Sequence, residues 1–117
     1  MPQPSFVELV LACGSWQEAQ KIADSLLEKH LVACVEFMEI KSKYWWKRHV
    51  EQAEEIKLIM STLERNFAAV EKEVSKLHSY ETFVLQAIPI VHVSEEAAKW
   101  LSNTTELTAT NIEKEIL

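Results

Sequence analysis

The chain has 117 residues and a formal net charge of -6, and nearly half of its residues are apolar. This length suits one domain with a single hydrophobic core, and the composition argues against a disordered chain. The acidic balance argues against nucleic acid or an anionic membrane as a partner, because both require a basic surface. The sequence shows neither an apolar run of about eighteen residues nor a secretory signal pattern, so we expect a cytoplasmic protein.

The first predicted elements are a buried strand and a capped helix. Residues 6–13 form a nearly continuous apolar run, which predicts a strand. Gly14, the only glycine, follows this run, and Ser15 and Glu18 then have the spacing of a capping box. Apolar residues at helical spacing predict helix one over residues 15–29.

The two cysteines, Cys13 and Cys34, each lie within an apolar run. Two cysteines do not make a disulfide framework, and a buried thiol that behaves as a small apolar side chain is the commoner outcome. We therefore expect free thiols at both positions.

A long hairpin is predicted next. Residues 32–47 are extended, with apolar residues on both faces at first and on one face later. Residues 50–60 form a second extended segment, and the short basic turn Lys47-Arg48-His49 joins the two.

This hairpin is longer than the domain that carries it. A compact chain of this length has a radius of gyration of about 13 Å and hence a diameter of roughly 35 Å. A strand over residues 34–47 would span roughly 45 Å, so it must bend at a bulge near residues 37–41 or project beyond the core.

The aromatic residues near the turn favour a partner for a projecting hairpin. Trp45 lies on the opposite face from Tyr44 and Trp46, so covering one face of the ribbon leaves a tryptophan exposed. A two-stranded ribbon is also only marginally stable by itself. Pairing with a neighbouring chain solves both problems, and we favour it over a fold-back within one chain.

The second half of the chain begins with a predicted helix and strand. Ser61 and Glu64 have the spacing of a second capping box. Apolar residues at alternating spacings of four and three then predict helix two over residues 63–77. Residues 83–90 predict a fourth strand, in which Pro89 is consistent with an edge or a terminus.

A short helix over residues 95–101, capped by Ser94, completes the predicted core of residues 6–101. The polar, threonine-rich tail over residues 102–117 is either a frayed terminus or an arm that a partner orders. The order β-α-β-β-α-β predicts a single α+β domain over residues 1–117. Its expected fold is the ferredoxin-like split βαβ sandwich, an antiparallel sheet with a long β2–β3 hairpin and both main helices on one face.

These residues together resemble the CutA-type family of divalent-cation tolerance proteins, over about residues 6–101. The matching stretches, in order, are Cys13 before a capped helix, Leu31-Val32-Ala33-Cys34, Tyr44-Trp45-Trp46 leading into Glu51-Gln52-Ala53-Glu54-Glu55, Thr62, His78-Ser79-Tyr80-Glu81, Ile88-Pro89-Ile90 and Lys99-Trp100-Leu101. The chain departs from the family's pattern where Arg48 replaces a glycine of the hairpin turn, Ser61 replaces a lysine and Phe83-Val84 replaces Pro-Glu.

The resemblance implies a homotrimer whose hairpins pair with neighbouring sheets. The implied interface residues are Tyr44, Trp45, Trp46 and Arg48. The family has been linked to tolerance of copper and other divalent cations, and no enzymatic activity is firmly attached to it. A ligand cleft is expected between subunits, with Tyr80 and Glu55 among its residues.

His78, Glu81 and Cys13 are candidate ligands for a metal ion. Imidazole with a carboxylate suits Cu(II) or Zn(II), and a nearby thiolate suits Cu(I). The alternative is that these groups make ordinary hydrogen bonds at a surface or an interface, because one histidine and one glutamate three residues apart are a small ligand set.

Other classes of function have less support in the sequence. Apolar neighbours argue against a nucleophilic Cys13 thiolate, so we expect no enzyme. A single glycine excludes a glycine-rich phosphate loop, and three basic residues are too few for a nucleic-acid platform. The leading hypothesis is a cation-tolerance homotrimer that binds Cu(II), another divalent cation or a small ligand. The alternative is a PII-like regulatory trimer that senses a metabolite and acts on a partner protein.

Overall fold

A computed structural model describes residues 5–105, which fold into a four-stranded antiparallel sheet with three helices. In chain order the elements are β1 (Phe6–Cys13), α1 (Trp16–Glu28), β2 (Cys34–Trp46), β3 (His49–Leu63), a 3₁₀ turn (Glu64–Asn66), α2 (Phe67–Leu77), β4 (Leu85–Ile90) and α3 (Glu95–Thr105). The strand order is β2-β3-β1-β4. This arrangement confirms the predicted ferredoxin-like fold. None of the helices in the described part of the chain is long and apolar enough to span a membrane.

The two faces of the sheet are covered differently. Helices α1 and α2 pack on one face, where their buried residues join alternate residues of β1 and β3 in the main core, including Leu9, Leu11, Ile22, Leu58, Met60, Val70 and Val74. Phe6 and Leu63 point to the other face and pack with Leu101 of α3 in a smaller cluster. Helix α3 therefore covers only one end of the second face.

The hairpin of β2 and β3 projects from the core instead of bending. Its pairing runs without a bulge from Cys34 opposite Ser61 to Trp46 opposite His49. Strand β1 pairs only with residues 56–63 of β3, so residues 49–55 of β3 have only β2 beside them. The described residues consequently measure 51 × 30 × 22 Å along their principal axes. Of the two possibilities that the strand length left open, the structure has the projecting ribbon.

The predicted capping box at the start of helix two is wrong. Strand β3 continues to Leu63, and the Thr62 hydroxyl donates a 2.6 Å hydrogen bond to the carbonyl oxygen of Leu31. Asn66 donates in turn to the Thr62 hydroxyl, and α2 begins at Phe67 without a side-chain cap. Pairing with β1 decides where this strand ends, because Leu63 lies opposite Phe6.

Helix α3 is one turn longer than the predicted helix over residues 95–101. It runs to Thr105, whose hydroxyl donates to the carbonyl oxygen of Leu101. The side chains of His30 and Asn66 donate hydrogen bonds to the carbonyl oxygens of Thr104 and Thr105, which helix ends otherwise leave without partners. Contacts distant in sequence therefore extend the helix into the predicted tail. The rest of that tail, residues 106–117, lies outside the described residues.

Candidate functional site

Three potential metal-ligand side chains converge where β1 ends. Cys13 is the last residue of β1, Glu18 lies in the first turn of α1, and His78 follows α2. One ligand atom from each lies within 4.8 Å of the others. The Cys13 and His78 side chains are fully buried, and the Glu18 side chain is only 11% exposed. The fold thus brings together two of the three candidate ligands from the sequence, Cys13 and His78, and it adds Glu18.

Both ring nitrogens of His78 have hydrogen-bond partners. Nε2 donates to the carbonyl oxygen of Ala12 over 2.9 Å, and Nδ1 accepts from the backbone N–H of Tyr80 over 3.1 Å. These partners select the neutral tautomer with its proton on Nε2, because a carbonyl can only accept and an N–H can only donate. The ring also stacks against Phe83, with centroids 5.3 Å apart. His78 therefore joins the loop after α2 to the end of β1.

Glu18 links the start of α1 to the same loop. Its backbone N–H donates to the Ser15 hydroxyl, as the capping box predicts. Its carboxylate accepts from the backbone N–H of Gly14 and from both the backbone N–H and the hydroxyl of Ser79. The sequence identified Glu18 as a capping residue and missed its second role, because Ser79 is 61 residues away along the chain.

Burial controls the chemistry of Cys13. Loss of solvent, together with the negative charges of Glu18 and Glu55, raises the pKa of the Cys13 thiol to about 12. A pKa this high keeps the sulfur protonated at neutral pH. The free protein therefore presents a thiol here, not a nucleophilic thiolate.

Tyr80 and Glu55, the predicted cleft residues, are in direct contact. The Tyr80 hydroxyl donates a 2.7 Å hydrogen bond to Glu55 Oε2, and the Glu55 side chain is nearly buried. Burial of the Tyr80 hydroxyl is the main cause of its raised pKa, and the hydrogen bond to Glu55 raises the pKa further. A Cβ atom at Gly14 would lie 3.2 Å from the Tyr80 ring, so the glycine allows the ring to pack close to the backbone.

Glu81 lies apart from the other two predicted ligands. Its side chain is 75% exposed and points toward Lys47 of the hairpin turn, with 3.9 Å between Glu81 Oε2 and Lys47 Nζ. The carboxylate beside Cys13 and His78 is that of Glu18.

The predicted interface residues surround the end of the hairpin. Trp45 is 74% exposed and Tyr44 is 39% exposed, whereas Trp46 is partly covered and has the Lys47 ammonium 5.5 Å from its ring centroid. The turn contains only Lys47 and Arg48, with positive φ angles of 48° and 74°. Positive φ at both central residues is the geometry of a type I′ hairpin turn, which favours asparagine and glycine.

The donor set can be compared with the needs of a divalent cation. Thiol, imidazole and carboxylate together suit Zn(II) or copper. In a tetrahedral site with bonds of about 2.0–2.3 Å, neighbouring ligand atoms lie roughly 3.5 Å apart. His78 Nδ1 and Glu18 Oε1 are already 3.7 Å apart. The set fits such a cation in type and nearly in spacing, although a cation would have to displace the Cys13 proton and the Tyr80 N–H.

Comparison with known proteins agrees with this fold and these motifs. The profile of the family described as "CutA1 divalent ion tolerance protein" matches residues 7–104. The divalent-cation tolerance protein CutA of Archaeoglobus fulgidus is 41% identical over 98 residues, which cover 84% of this chain and 96% of that protein. The corresponding Thermotoga maritima protein is 38% identical, over 73% of this chain and 84% of that protein.

Solved structures show the same similarity. The structure described as the periplasmic divalent cation tolerance protein CutA from Archaeoglobus fulgidus has a TM-score of 0.84 at 39% identity, covering 86% of this chain and 98% of that one. CutA1 from Oryza sativa has a TM-score of 0.86 at 26% identity, covering 91% of this chain and 98% of that one. The names of this family and of these relatives refer to tolerance of divalent ions and specify no reaction.

Proposed function

Because this chain belongs to the CutA1 family of divalent ion tolerance proteins, we propose that it acts in divalent-cation tolerance as a non-enzymatic homotrimer that binds a cation beside Cys13. The observation that carries the proposal is the convergence of Cys13, Glu18 and His78 at the base of a projecting hairpin. The projecting hairpin is the evidence for the homotrimer, and the three converging side chains are the evidence for the bound cation.

The proposal of a homotrimer is supported by the apolar side chains that a single protomer leaves exposed. Along the hairpin, Phe37, Met38, Tyr44, Trp45 and Val50 are each at least 39% exposed. Large apolar side chains gathered on one exposed element mark an interaction site more often than a solvated surface. A second chain beside the ribbon would cover both of its faces and complete the pairing of its outer strand.

The proposal of a bound cation is supported by the chemistry of the donor side chains and by the charge around them. A groove of about 470 Å³ lies between the start of α1 and the base of the hairpin. Glu39, Glu54 and Glu55 line it, with Lys41 as the only basic residue of its lining. This charge favours a cation over an anionic metabolite, which is why we prefer cation tolerance to a metabolite-sensing regulatory trimer.

The assembly is tested by light scattering with size-exclusion chromatography. We expect a mass three times that of the chain, and a smaller species for Trp45→Ala at the same concentration. Trp45 is exposed in the protomer, so its loss should weaken the assembly without unfolding the subunit. Trp100→Ala, on the distant helix α3, is the matched control. A monomeric wild type would overturn the proposed assembly.

The cation is tested by titration calorimetry with Zn(II), which does not oxidise thiols. We expect Cys13→Ser and His78→Gln each to weaken binding by at least about tenfold, and Cys34→Ser to leave it unchanged. Binding should also release a proton from Cys13, seen as a heat that depends on the ionisation enthalpy of the buffer. Equal affinities for all four proteins would place the cation elsewhere.

The cytoplasm remains the proposed location. Its support is the pair of free cysteines, since thiols persist in reducing compartments. Fractionation of cells that produce the tagged protein tests this, and recovery with periplasmic or extracellular markers would contradict it.

A further inference from the structure

We propose that the backbone of residues 79 and 80 closes the cation site of the free protein, and that Tyr80 leaves Glu55 when a cation binds. The inference rests on the proposed cation site beside Cys13 and adds its regulation. Two consequences follow. The hydrogen bond between Tyr80 and Glu55 opposes cation binding, and cation binding loosens the base of the hairpin.

Two of the ligand atoms already accept hydrogen bonds from the backbone. His78 Nδ1 and Glu18 Oε1 are 3.7 Å apart. Nδ1 accepts the Tyr80 N–H over 3.1 Å, and Oε1 accepts the Ser79 N–H. Two successive N–H groups of the chain therefore satisfy the atoms that a cation would bind.

A cation on His78 cannot coexist with the hydrogen bond from Tyr80. A neutral imidazole has one ring nitrogen with a free lone pair, and here this nitrogen is Nδ1, because Nε2 donates to the carbonyl oxygen of Ala12. The lone pair can bind either the Tyr80 N–H or a metal ion. The bond to Ala12 also orients the ring, as such partners do for ligating histidines. Cation binding therefore requires the Tyr80 N–H to move away.

Access to the site requires the same movement. The Cys13 and His78 side chains are fully buried, and the Glu18 side chain is 11% exposed. The Ser79 hydroxyl is also bound to the Glu18 carboxylate, 3.1 Å from Oε2. Residues 78–84, between α2 and β4, belong to no helix or strand. This loop is the part of the surroundings that can move without disrupting a helix or the sheet.

Tyr80 connects the loop to the hairpin. Its backbone N–H bonds to His78, and its hydroxyl donates to Glu55 Oε2 over 2.7 Å. The ring already packs close to the backbone at Gly14, where an added Cβ atom would lie 3.2 Å from it. Moving the Tyr80 backbone away from His78 therefore draws the hydroxyl away from Glu55.

Glu55 lies where the hairpin leaves the sheet. The next residue, Ile56, pairs with Cys13 at the end of β1, whereas residues 49–55 of β3 have only β2 beside them. The hydrogen bond from Tyr80 thus fastens the base of the projecting ribbon to the rest of the domain. Its loss on cation binding gives this base more freedom, so the occupancy of the site is communicated to the hairpin.

Titration calorimetry of the full chain with Zn(II) tests whether Tyr80 opposes binding. Tyr80→Phe keeps the ring and the backbone N–H and removes only the hydrogen bond to Glu55. Because the coupling between two events is reciprocal, this variant should bind Zn(II) about tenfold more tightly than the wild type. Tyr44→Phe, which removes the hydroxyl of an exposed tyrosine, is the control and should keep the wild-type affinity.

A second variant weakens the closed loop from its other end. Ser79→Ala loses the hydroxyl contact to Glu18 and should bind Zn(II) about threefold more tightly. Ser75→Ala, on the exposed side of α2, removes a hydroxyl that bonds only within its own helix and should leave the affinity unchanged.

Hydrogen exchange followed by NMR tests the movement in the wild-type protein. The amide hydrogens of Ser79 and Tyr80 have acceptors in the free protein. Saturating Zn(II) should accelerate their exchange by about tenfold or more, because both acceptors then bind the metal. The paired amides of β1 should exchange no faster with Zn(II) than without it.

The stability of Tyr80→Phe separates this role from a purely structural one. Without Zn(II) the variant should be less stable than the wild type in urea, yet it should bind Zn(II) more tightly. A side chain that only held the subunit together would lower both the stability and the affinity when its hydroxyl is removed.

The outcomes distinguish this inference from the proposed function. Equal or weaker Zn(II) binding by Tyr80→Phe would overturn the inference, as would slow exchange of the Ser79 and Tyr80 amides in the Zn(II)-saturated wild type. Either result leaves the cation site standing when Cys13→Ser still weakens binding. A wild type that binds no Zn(II) would overturn both the site and its regulation.

Discussion

The Tyr80 hydroxyl lies 2.7 Å from Glu55 Oε2, and this hydrogen bond fastens the loop after α2 to the base of the hairpin. The Glu55 side chain is nearly buried, so the Tyr80 hydroxyl takes the place of water as a hydrogen-bond donor to its carboxylate. The same loop carries His78 and Ser79, which contact Ala12 and Glu18. One short segment thus joins the sheet, the first helix and the hairpin.

The first prediction concerns this hydrogen bond. Tyr80→Phe should lower the free energy of unfolding by about 1–3 kcal/mol, because it leaves a nearly buried carboxylate without its donor. Urea denaturation followed by fluorescence measures the change. Tyr44→Phe removes a hydroxyl from an exposed tyrosine on the same hairpin and should have little effect. Equal losses in the two variants would show that the hydrogen bond to Glu55 has no special importance.

The second prediction concerns the contact between α1 and α2, which should stabilise the protein less in acid. Lys29 and Ser25 of α1 donate to Glu73 of α2, and these hydrogen bonds lower the pKa of Glu73 to about 2. Because the folded pKa lies below the unfolded value of about 4.3, this contribution is present above that value and is lost as pH falls toward 2. Urea denaturation between pH 6 and about 2 should therefore show a shallower decline for Glu73→Gln than for the wild type.

The control for this measurement is Glu71→Gln, on the exposed side of the same helix. It should keep the wild-type dependence on pH. A Glu73→Gln profile parallel to that of the wild type would contradict the assignment of the acid-sensitive step to Glu73.

The third prediction concerns the thiol of Cys13. Because burial raises its pKa to about 12, the thiol contributes stability below the unfolded pKa of about 8.5 and loses it as pH rises from there toward 12. In the Cys34→Ser protein, which keeps Cys13 alone, labelling with a thiol reagent at pH 8 should be slow and should become rapid in denaturant. Cys13→Ser, which keeps the less buried Cys34, is the comparison. Rapid labelling of Cys13 in native buffer would contradict its burial.

The fourth prediction concerns the end of α1. His30 has a φ of 57°, and the backbone N–H groups of His30 and Leu31 donate to the carbonyl oxygens of Leu27 and Leu26. This is a Schellman motif with histidine at the position that usually holds glycine. The His30 ring also donates a hydrogen bond to the carbonyl oxygen of Thr104.

Two substitutions at His30 separate the backbone conformation from the side-chain contact. Both His30→Ala and His30→Gly lose the hydrogen bond to Thr104, but only alanine keeps the unfavourable φ. We expect the glycine variant to be more stable than the alanine variant by about 1 kcal/mol in urea denaturation. An alanine variant of equal or greater stability would show that the left-handed conformation is not retained.

Local sequence patterns predicted most of the fold. The apolar run over residues 6–13 coincides with β1, and the capping box at Ser15 precedes a helix that ends within one residue of the predicted position. The hairpin also follows from local features, because alternation and length are properties of the strands themselves. The strand length left a bulge and a projection open, and the structure has the projection. Family membership could likewise be inferred from the motifs, as the comparisons confirm.

Only the tertiary structure decided the details that depend on distant partners. Ser61 and Glu64 have a capping pattern, but pairing with β1 carries β3 through this position and turns Thr62 toward Leu31. Helix α3 gains a turn from His30 and Asn66, which lie far from it in sequence.

The residues of the candidate site also fall into two groups, those that the sequence suggests and the one that only the tertiary structure identifies. Cys13 and His78 could be selected from the sequence because their residue types and motifs indicate metal chemistry, but their third neighbour could not. Glu81 is close to His78 along the chain, yet its side chain points to Lys47, while Glu18 reaches the site from the first helix. The sequence supplies the side chains that could act as ligands. The packing of α1 and of the loop after α2 against the end of β1 decides which of these side chains meet.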